Sequence, residues 1–276
     1  MNEITLKTDG FSIAELSEEL GTAAPVKGPS IPTLKINSAG EDAQGVQIPL
    51  GAFFLNSGGE RVYAKDNVKF RAFSNHIQYQ HWGDRKLINK SLLVVNQRQE
   101  ARDQLGGVMC GVPTYEESIA MTPDQRKELD GRDRYRIVRG LISYTGKTAA
   151  GKEVTIENQP VVLSLKRKNY GPFYHDVIKK MPTDSNLWDF ECILDTEKFK
   201  TDKGAVYYVM RFKPQLDNML MMDQVIYDSL LAVKELVNSE NSRIEDSYKQ
   251  AHMGKAEDAL MDNAAEVLGE LETDFA

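Results

Sequence analysis

The sequence predicts a mainly β protein with appended helices, arranged as an antiparallel barrel or sandwich. Three observations predict this fold class: many short stretches alternate apolar and polar residues, turn-forming residues separate these stretches, and helical periodicity prevails only near the C-terminus. Short strands with mixed connections are typical of small β-rich domains. The 276 residues, 41% of them hydrophobic and 27% charged, suffice to bury a full core.

The chain begins with a segment that predicts no extended regular structure. Five glycines and prolines fall between residues 21 and 32, and breakers at this density are typical of a linker. We therefore expect residues 1–30 to form a flexible N-terminal arm. The folded core is expected to span residues 31–214.

Five strands are predicted in the first half of this core, two of them (31–37 and 68–82) from alternation with a period of two. In the second of them, Pro49 and Gly51 favour an edge or bent position. In the fourth, the phase of the alternation changes near Ser74 and Asn75, which predicts a bulge. The five predicted strands are residues 31–37, 46–55, 61–65, 68–82 and 86–95.

The second half of the core combines hairpins with short helices. Thr122 and Pro123 form a typical helix start, and Gly131 a typical helix end. From Gln215 the period becomes helical and predicts one helix of about 20 residues, within a helical segment assigned to 215–250. The remaining predicted elements are a hairpin of 134–144 with 154–166, a short helix within 169–181, and a hairpin of 187–194 with 205–213 across a loop at 195–204.

Several short strands and few helices before the end fit a small barrel. Among small barrels we favour the oligonucleotide-binding fold for residues 31–214. A sandwich with appended helices is the alternative.

Charge is segregated along the chain, whose overall net charge is −7. Residues 1–59 carry 3 basic and 7 acidic side chains, residues 60–214 carry 27 and 20, and residues 215–276 carry 4 and 14. A basic body between acidic ends favours a polyanionic partner despite the acidic total. An ordinary acidic protein with a solvated terminal helix is the competing interpretation.

The acidic end is densest between residues 257 and 276, which hold seven Asp and Glu and no Lys or Arg. Like charges at this density repel one another, and the short apolar stripe among them buries little. We therefore expect residues 251–276 to form a flexible acidic tail. Phe275 lies within the acidic sequence at its tip.

No motif supports an enzyme, so the sequence predicts neither catalytic residues nor a cofactor. Gly146, Lys147 and Thr148 suggest a phosphate loop, but that motif needs a glycine where Leu141 stands. The four histidines do not cluster with the cysteines at a zinc-like spacing. Neither a Gly-x-Ser-x-Gly elbow nor an acidic two-metal cluster is present in the sequence.

The sequence also predicts where in the cell the protein is found. Apolar runs stay well short of the roughly 20 residues of a membrane span, and the first residues do not resemble a secretory signal. Cys110 and Cys192 are far apart and are predicted to be reduced, packed thiols. These features predict a cytoplasmic protein without a membrane partner.

Binding of single-stranded nucleic acid needs cations along the phosphates and rings on which bases stack. Three stretches combine both side-chain types, and three further cations lie on the predicted β-hairpin between residues 134 and 166. Each pattern alone also fits core aromatics and ordinary solvated cations. The candidate binding residues are Tyr63, Lys65, Lys69, Arg71, Phe73 and Trp82 in the first stretch, Lys166, Arg167, Lys168 and Tyr170 in the second, Tyr207, Arg211 and Lys213 in the third, and the hairpin cations Arg134, Arg136 and Lys147.

Several segments resemble the single-stranded DNA-binding proteins that tailed bacteriophages encode. They are Ile31-Pro32-Thr33-Leu34-Lys35-Ile36-Asn37, Val62-Tyr63-Ala64-Lys65, Val68-Lys69-Phe70-Arg71, Gln78-Tyr79-Gln80-His81-Trp82, and Gly106-Gly107 with Cys110-Gly111. The resemblance covers residues 31–213 loosely, and the acidic tail is similar to the tails of this functional class. The tail of this chain departs from the pattern of those tails because Ala276 follows the phenylalanine.

What the resemblance implies is an oligonucleotide-binding barrel that coats and protects single-stranded DNA during phage replication, recombination and repair in the host cytoplasm. The tail is then expected to recruit a polymerase, a helicase or primase, or a recombinase. From its charge we also expect the tail to compete for the basic groove when DNA is absent. The tail residues expected to bind partners are Glu270, Glu272, Asp274 and Phe275.

Two alternatives stay open at this level. One is a non-enzymatic phage structural or protein-interaction protein, and the other is an RNA-binding or transcription-modulating factor. The sequence also leaves the oligomeric state open, with a homo-oligomer among the possibilities.

Overall fold

A computed structural model describes residues 31–41, 45–57, 60–84, 86–108 and 115–273, with side chains undescribed at 57, 127–130 and 254–273. The chain divides into a unit of residues 1–31 and a unit of residues 32–276. The arm predicted for residues 1–30 lies outside the described residues. The described strands and helices all belong to the second unit.

The described residues form nine strands that pair antiparallel in one sheet. The order is β1-β2-β3-β6-β4-β8-β9, with β5 beside β4 and β7 beside β6. The mainly β class with a C-terminal helix is therefore confirmed. The strands are β1 (Lys35–Ile36), β2 (Phe53–Ser57), β3 (Glu60–Ala64), β4 (Val68–Gly83), β5 (Lys86–Lys90), β6 (Arg132–Thr148), β7 (Glu153–Lys166), β8 (Cys192–Lys200) and β9 (Val206–Pro214).

The predicted bulge lies in β4, where the register with β6 shifts between Ala72 and Ser74. Before the shift, Phe70 and Ala72 lie in the main core. Phe73 instead packs in a second cluster on the opposite side of the sheet. The extra residue thus changes which face the following side chains occupy.

The predicted hairpin 134–144 with 154–166 is confirmed as β6 and β7 and is longer than expected. Its loop contains only residues 149–152, with Gly151 at φ +81°. Thr145, which lies between the two predicted strands, belongs to β6 and pairs with Thr155 of β7, and their hydroxyl oxygens are 3.1 Å apart. The polar side chains on this exposed face give the end of β6 the composition of a loop.

The boundaries of the other hairpin were predicted wrongly. Residues 187–189 form a 3₁₀ turn, capped by the Asp189 carboxylate, which accepts a hydrogen bond from the Asn186 N–H at 2.7 Å. The strand β8 instead continues to Lys200, through the predicted loop. The reason is cross-strand pairing: Asp195 and Glu197 carry charges on an exposed ribbon, where opposite charges on β9 stabilise the strands.

Three predicted strands are shorter than expected. Of 31–37 only Lys35–Ile36 is a strand, although Thr33 forms a parallel bridge with Val162 of β7. The prediction 46–55 is replaced by Phe53–Ser57. The prediction 86–95 becomes β5 followed by an isolated bridge at Val94.

Four α-helices are described. Thr122 caps the second one as predicted, because its hydroxyl accepts a hydrogen bond from the Gln125 N–H at 3.3 Å while the Gln125 side chain accepts one from the Thr122 N–H at 2.9 Å. None of the described helices is both long and apolar enough to cross a membrane. The helices are α1 (Tyr115–Ala120), α2 (Pro123–Asp130), α3 (Pro172–Asp176) and α4 (Gln224–Thr273).

The helix α4 is much longer than predicted, with 50 residues against about 20 expected from its apolar periodicity. It runs through the boundary predicted at residue 250 and includes most of the segment predicted as a tail. Ala, Leu, Met and Glu dominate that segment, and these residues have high helix propensity whatever their net charge. The backbone of 251–273 is helical, and the predicted flexibility of this segment stays a prediction.

The strands β4 and β6 are covered on both faces. On one face, Phe70 of β4 and Val138 and Ile142 of β6 lie in the main core. On the other face, Leu141 of β6 packs with Phe73 against Ile226 and Val233 of α4. We call the face that α4 packs on the covered face.

Candidate nucleic-acid interface

Six predicted binding residues come together where β6 begins and β7 ends. Because β6 and β7 are antiparallel, Tyr135 pairs with Lys166 and Arg136 with Leu165, which places the start of one strand beside the end of the other. The 3₁₀ turn Arg167–Asn169 follows directly. We call this group the basic cluster; its members are Arg134, Arg136, Lys166, Arg167, Lys168 and Tyr170.

Two of the three arginines of the basic cluster, Arg134 and Arg136, lie against the same ring. The guanidinium carbon of Arg134 is 4.3 Å from the Tyr170 ring centroid, and that of Arg136 is 4.7 Å from it. Cations at this distance are attracted by the ring. The arrangement brings two cations and one aromatic ring together, the two side-chain types that single-strand binding uses.

Hydrogen bonds fix the orientation of both guanidinium groups. The Arg136 Nη1 donates to Asn75 Oδ1 at 2.8 Å, and its Nε donates to the Tyr170 carbonyl at 3.2 Å. The Arg134 Nη1 donates to Gln97 Oε1 at 3.2 Å. Burial lowers the pKa of Arg136, and Tyr170 partly offsets this. These partners are neutral, so neither arginine has its charge cancelled by them.

One acid offsets the charge of the basic cluster. Asp133 accepts from Lys166 Nζ at 3.1 Å and lies 3.5 Å from Arg167 Nε. Lys168 is exposed and has no ion pair among the described residues. Five cations therefore face one carboxylate, and the cluster keeps a positive surplus that can attract phosphates.

A second group of predicted residues lines a groove of about 760 Å³ between β3, β6 and β7. Lys65 and Lys147 are exposed there, whereas the ring of Tyr63 is buried and packs on Phe54 at 5.4 Å. Tyr63 therefore does not present a stacking surface. The charges of this groove balance, because its cations Lys65, Lys69 and Lys147 are matched by the acids Asp66, Glu153 and Glu157.

The third group lies on β9, where the predicted division into a core face and a ligand face holds only in part, because Val209 of the predicted ligand face is buried and Val206 of the predicted core face is exposed. Met210 and Phe212 are in the main core, and the Tyr207 ring stacks on Phe199 at 5.6 Å on the other face. The β9 cations, however, are paired with acids on neighbouring elements. Arg211 binds Asp176 at 2.9 Å and Lys213 binds Asp195 at 2.6 Å.

The remaining predicted residues of β4 do not join these groups. Phe73 is 5% exposed beneath α4, so its ring does not present a stacking surface in this structure. Arg71 donates to the Trp188 carbonyl at 2.7 Å and to the Met221 carbonyl at 3.2 Å, which anchors the segment leading into α4. Trp82 is 43% exposed and keeps a free ring surface.

The predicted tail residues cannot be placed as side chains. Glu270 and Glu272 lie within α4, where only the backbone is described. Asp274 and Phe275 lie outside the described residues.

A polar group on the covered face was missed by the binding-site prediction. Arg139 Nη2 donates to Glu240 Oε2 at 2.7 Å, while Lys90 Nζ and Gln78 Nε2 donate to Glu240 Oε1 at 3.0 and 3.1 Å. The sequence signal was Arg139 itself, a charge between Ile137 and Leu141 on an apolar face, which requires a buried partner. The partner could not be found locally because Glu240 lies 101 residues further along the chain.

The electrostatics of this group follow from burial and pairing. Burial alone raises the pKa of Glu240, but Lys90, Gln78 and Arg139 together outweigh it and hold that pKa below its usual value. Burial and the nearby Arg139 lower the pKa of His76, and Glu240 offsets this only in part. At neutral pH the group therefore contains two cations, one carboxylate and a neutral imidazole.

The described residues include no metal-binding group and one free thiol, which is buried. Among them, no group of three His, Cys, Asp or Glu side chains could hold a metal ion. Cys192 is a buried free thiol whose pKa burial raises to about 12, and Cys110 lies outside the described residues.

Comparison with known proteins gives no relative: no protein family, no curated protein and no solved structure matches this chain.

Proposed function

We propose that this protein binds single-stranded DNA through the basic cluster. The observation that carries the proposal is the pair of arginines held against Tyr170, in a group of five cations offset by one carboxylate. The cations would attract phosphates and release counterions, and aromatic surfaces would hold bases of any sequence. Duplex DNA would offer no unstacked bases to such rings.

We further propose that the sheet is an oligonucleotide-binding barrel. Four strand pairings support this: β4 with β6, β6 with β7, β4 with β8, and β8 with β9. The position of α3 between β7 and β8 in sequence supports it as well. In this assignment β6 and β7 are the second and third strands of the barrel. Those two strands form the usual binding face of the fold, and the basic cluster lies at their shared end.

The cellular role that we propose follows from the resemblance to phage proteins. The protein would coat and protect single strands during replication, recombination and repair. The acidic residues near the C-terminus would recruit replication proteins such as a polymerase, a helicase or a recombinase. This part of the proposal rests on the acidic composition of residues 251–276 and on the resemblance.

The test is a titration of a fluorescently labelled thymidine oligonucleotide with the full chain at several salt concentrations. A double variant, Arg167→Gln with Lys168→Gln, removes two exposed cations of the basic cluster. Each phosphate contact with a single strand contributes about 0.7 to the slope of log affinity against log salt. The variant should therefore bind more weakly at low salt and have a slope smaller by about 1.4.

The matched control is Lys179→Gln with Lys180→Gln, which removes two adjacent exposed cations from another 3₁₀ turn. If both double variants lose the same affinity, binding reflects net charge and the basic cluster is not the site. If the unaltered chain does not bind at low salt, the DNA-binding function is wrong and a protein-interaction role is favoured. Competition with RNA of the same length distinguishes the RNA-binding alternative.

A further inference from the structure

The contacts of Glu240 resemble those of a bound anion. Its carboxylate receives three hydrogen bonds from Arg139, Lys90 and Gln78, donors that belong to three different strands of the sheet. Two of these donors are cations, so the site holds more positive charge than a single carboxylate cancels. A phosphodiester offers the same charge with acceptor oxygens in a wider arrangement.

Part of the donor capacity at this site is unused. Arg139 is 4% exposed, yet its Nε and Nη1 have no hydrogen-bond partner among the described residues. The Nδ1 of the neighbouring His76 is also buried without a partner there. Buried donors without partners are costly. The carboxylate of Glu240 thus satisfies only one nitrogen of a guanidinium that can bind an anion through two.

An exposed ring is connected to the same site. The Trp82 Nε1 donates to Gln80 Oε1 at 3.1 Å, and the Gln80 Nε2 donates to Gln78 Oε1 at 2.9 Å. Gln78 in turn donates to Glu240. This series of hydrogen bonds runs along alternate residues of β4, so a free aromatic surface and an anion-binding group lie on one strand face.

We infer that Arg139, Lys90 and Gln78 form a phosphate site that the Glu240 side chain occupies in the free protein, and that a phosphate of bound single-stranded DNA replaces this carboxylate. This inference rests on the proposed function, and it adds a second contact region that is separate from the basic cluster. Glu240 competes with the DNA phosphate for this site.

The exchange requires only the side chain of Glu240 to move. Lifting α4 would expose Ile226, Val233, Val237 and Ile244, which are all buried against the rest of the chain, and would break both hydrogen bonds between the Asn241 side chain and the Leu93 backbone. Rotating one glutamate about its own side-chain bonds costs far less. The Glu240 and Lys90 side chains are each 24% exposed, so the site already opens to solvent beside the helix.

The test compares Glu240→Gln with Glu245→Gln in the full chain. Both substitutions remove one negative charge from α4, but Glu245 pairs with the half-exposed Arg102 instead of the phosphate site. We expect Glu240→Gln to bind the thymidine oligonucleotide about tenfold more tightly at low salt, because the charged competitor is lost. Glu245→Gln should change the affinity less than twofold.

A second variant keeps the test decisive if Glu240→Gln weakens folding. Adding Lys90→Gln to Glu240→Gln should reverse the gain in affinity and reduce the salt slope by about 0.7, the contribution of one phosphate contact. Circular dichroism at the titration temperature checks that each variant is folded. Equal affinities of the two single variants, or no change of slope with Lys90→Gln, would overturn the phosphate site.

The two proposals fail in different ways. If Arg167→Gln with Lys168→Gln weakens binding while Glu240→Gln matches Glu245→Gln, the DNA-binding function stands and the phosphate site does not. If neither the unaltered chain nor Glu240→Gln binds the oligonucleotide at low salt, both proposals are wrong.

Discussion

The buried ion pair on the covered face should respond asymmetrically to the loss of its two partners. Glu240 has three donors and its side chain is 24% exposed, whereas the Arg139 side chain is 5% exposed and has Glu240 as its acidic partner among the described side chains. Removing the acid leaves a buried cation uncompensated. Removing the arginine leaves a carboxylate that still has Lys90 and can reach solvent.

This difference in burial and in number of partners determines how much each substitution should lower the free energy of unfolding. Glu240→Leu should lower the free energy of unfolding by about 3–5 kcal/mol, the usual cost of an unpaired buried charge. Arg139→Met should lower it by only about 1 kcal/mol, since one charged hydrogen bond is lost while an apolar side chain joins Ile137 and Leu141. The double variant should return to within about 1 kcal/mol of the unaltered chain, because the one cation left without its acid, Lys90, has a side chain that is 24% exposed and can be solvated.

Urea unfolding followed by circular dichroism measures all four proteins, and the coupling is obtained from the double-mutant cycle. In thermal melts, Glu240→Leu should lower Tm by roughly 10 °C, at about 2–4 °C per kcal/mol for a chain of this size. Glu245→Leu, which breaks the exposed pair with Arg102, is the control and should cost less than about 1 kcal/mol. If Arg139→Met proved as costly as Glu240→Leu, the asymmetry deduced from burial would be wrong.

Three further predictions concern stability and binding. Folding lowers the pKa of His76 from 6.5. The unfolded chain therefore binds this proton at a higher pH than the folded chain, and the free energy of unfolding should fall as the pH drops below about 6.5. In His76→Gln, urea titrations over that range should no longer show this decline. Gly140→Ala should destabilise the fold by more than about 3 kcal/mol in the same assay, because a Cβ there would clash with the backbone carbonyl oxygen of Arg71. Gly40→Ala, where nothing lies near the Cβ position and the backbone needs no positive φ, is the control. Oligonucleotide binding should quench the fluorescence of the exposed Trp82. Trp82→Ala, which retains Trp188, should remove that quenching and weaken binding by about 1–3 kcal/mol. An unchanged signal would exclude Trp82 from the interface.

Local patterns predicted the hairpin β6–β7 and the bulge of β4 because both depend on neighbouring residues. A change of phase near Ser74 is visible in any stretch of alternating residues, and the structure has its register shift between Ala72 and Ser74. The cap formed by Thr122 is equally local. The strand ends were less predictable, since the exposed ribbon at Asp195 has the composition of a loop.

Part of the basic cluster could be read from the sequence, and part could not. The run Lys166-Arg167-Lys168 with Tyr170 is contiguous. That Arg134 and Arg136 lie against the same ring follows from the antiparallel register of β6 and β7, which the hairpin prediction implied. The burial of Tyr63 and Phe73 was not predictable, because an aromatic residue in a strand looks the same whether it faces solvent or core.

The amino-acid sequence alone was enough to specify the β-rich class, the main hairpin, the segregation of charge and the contiguous half of the basic cluster, because these depend on composition and on residues a few positions apart. The folded chain was needed to establish that α4 covers β4 and β6, and that Glu240 meets Arg139 and Lys90 across 101 and 150 residues of chain. The physical reason is that a buried charge requires a partner but does not specify it; the partner is the one that the packing of a distant helix brings within hydrogen-bond distance.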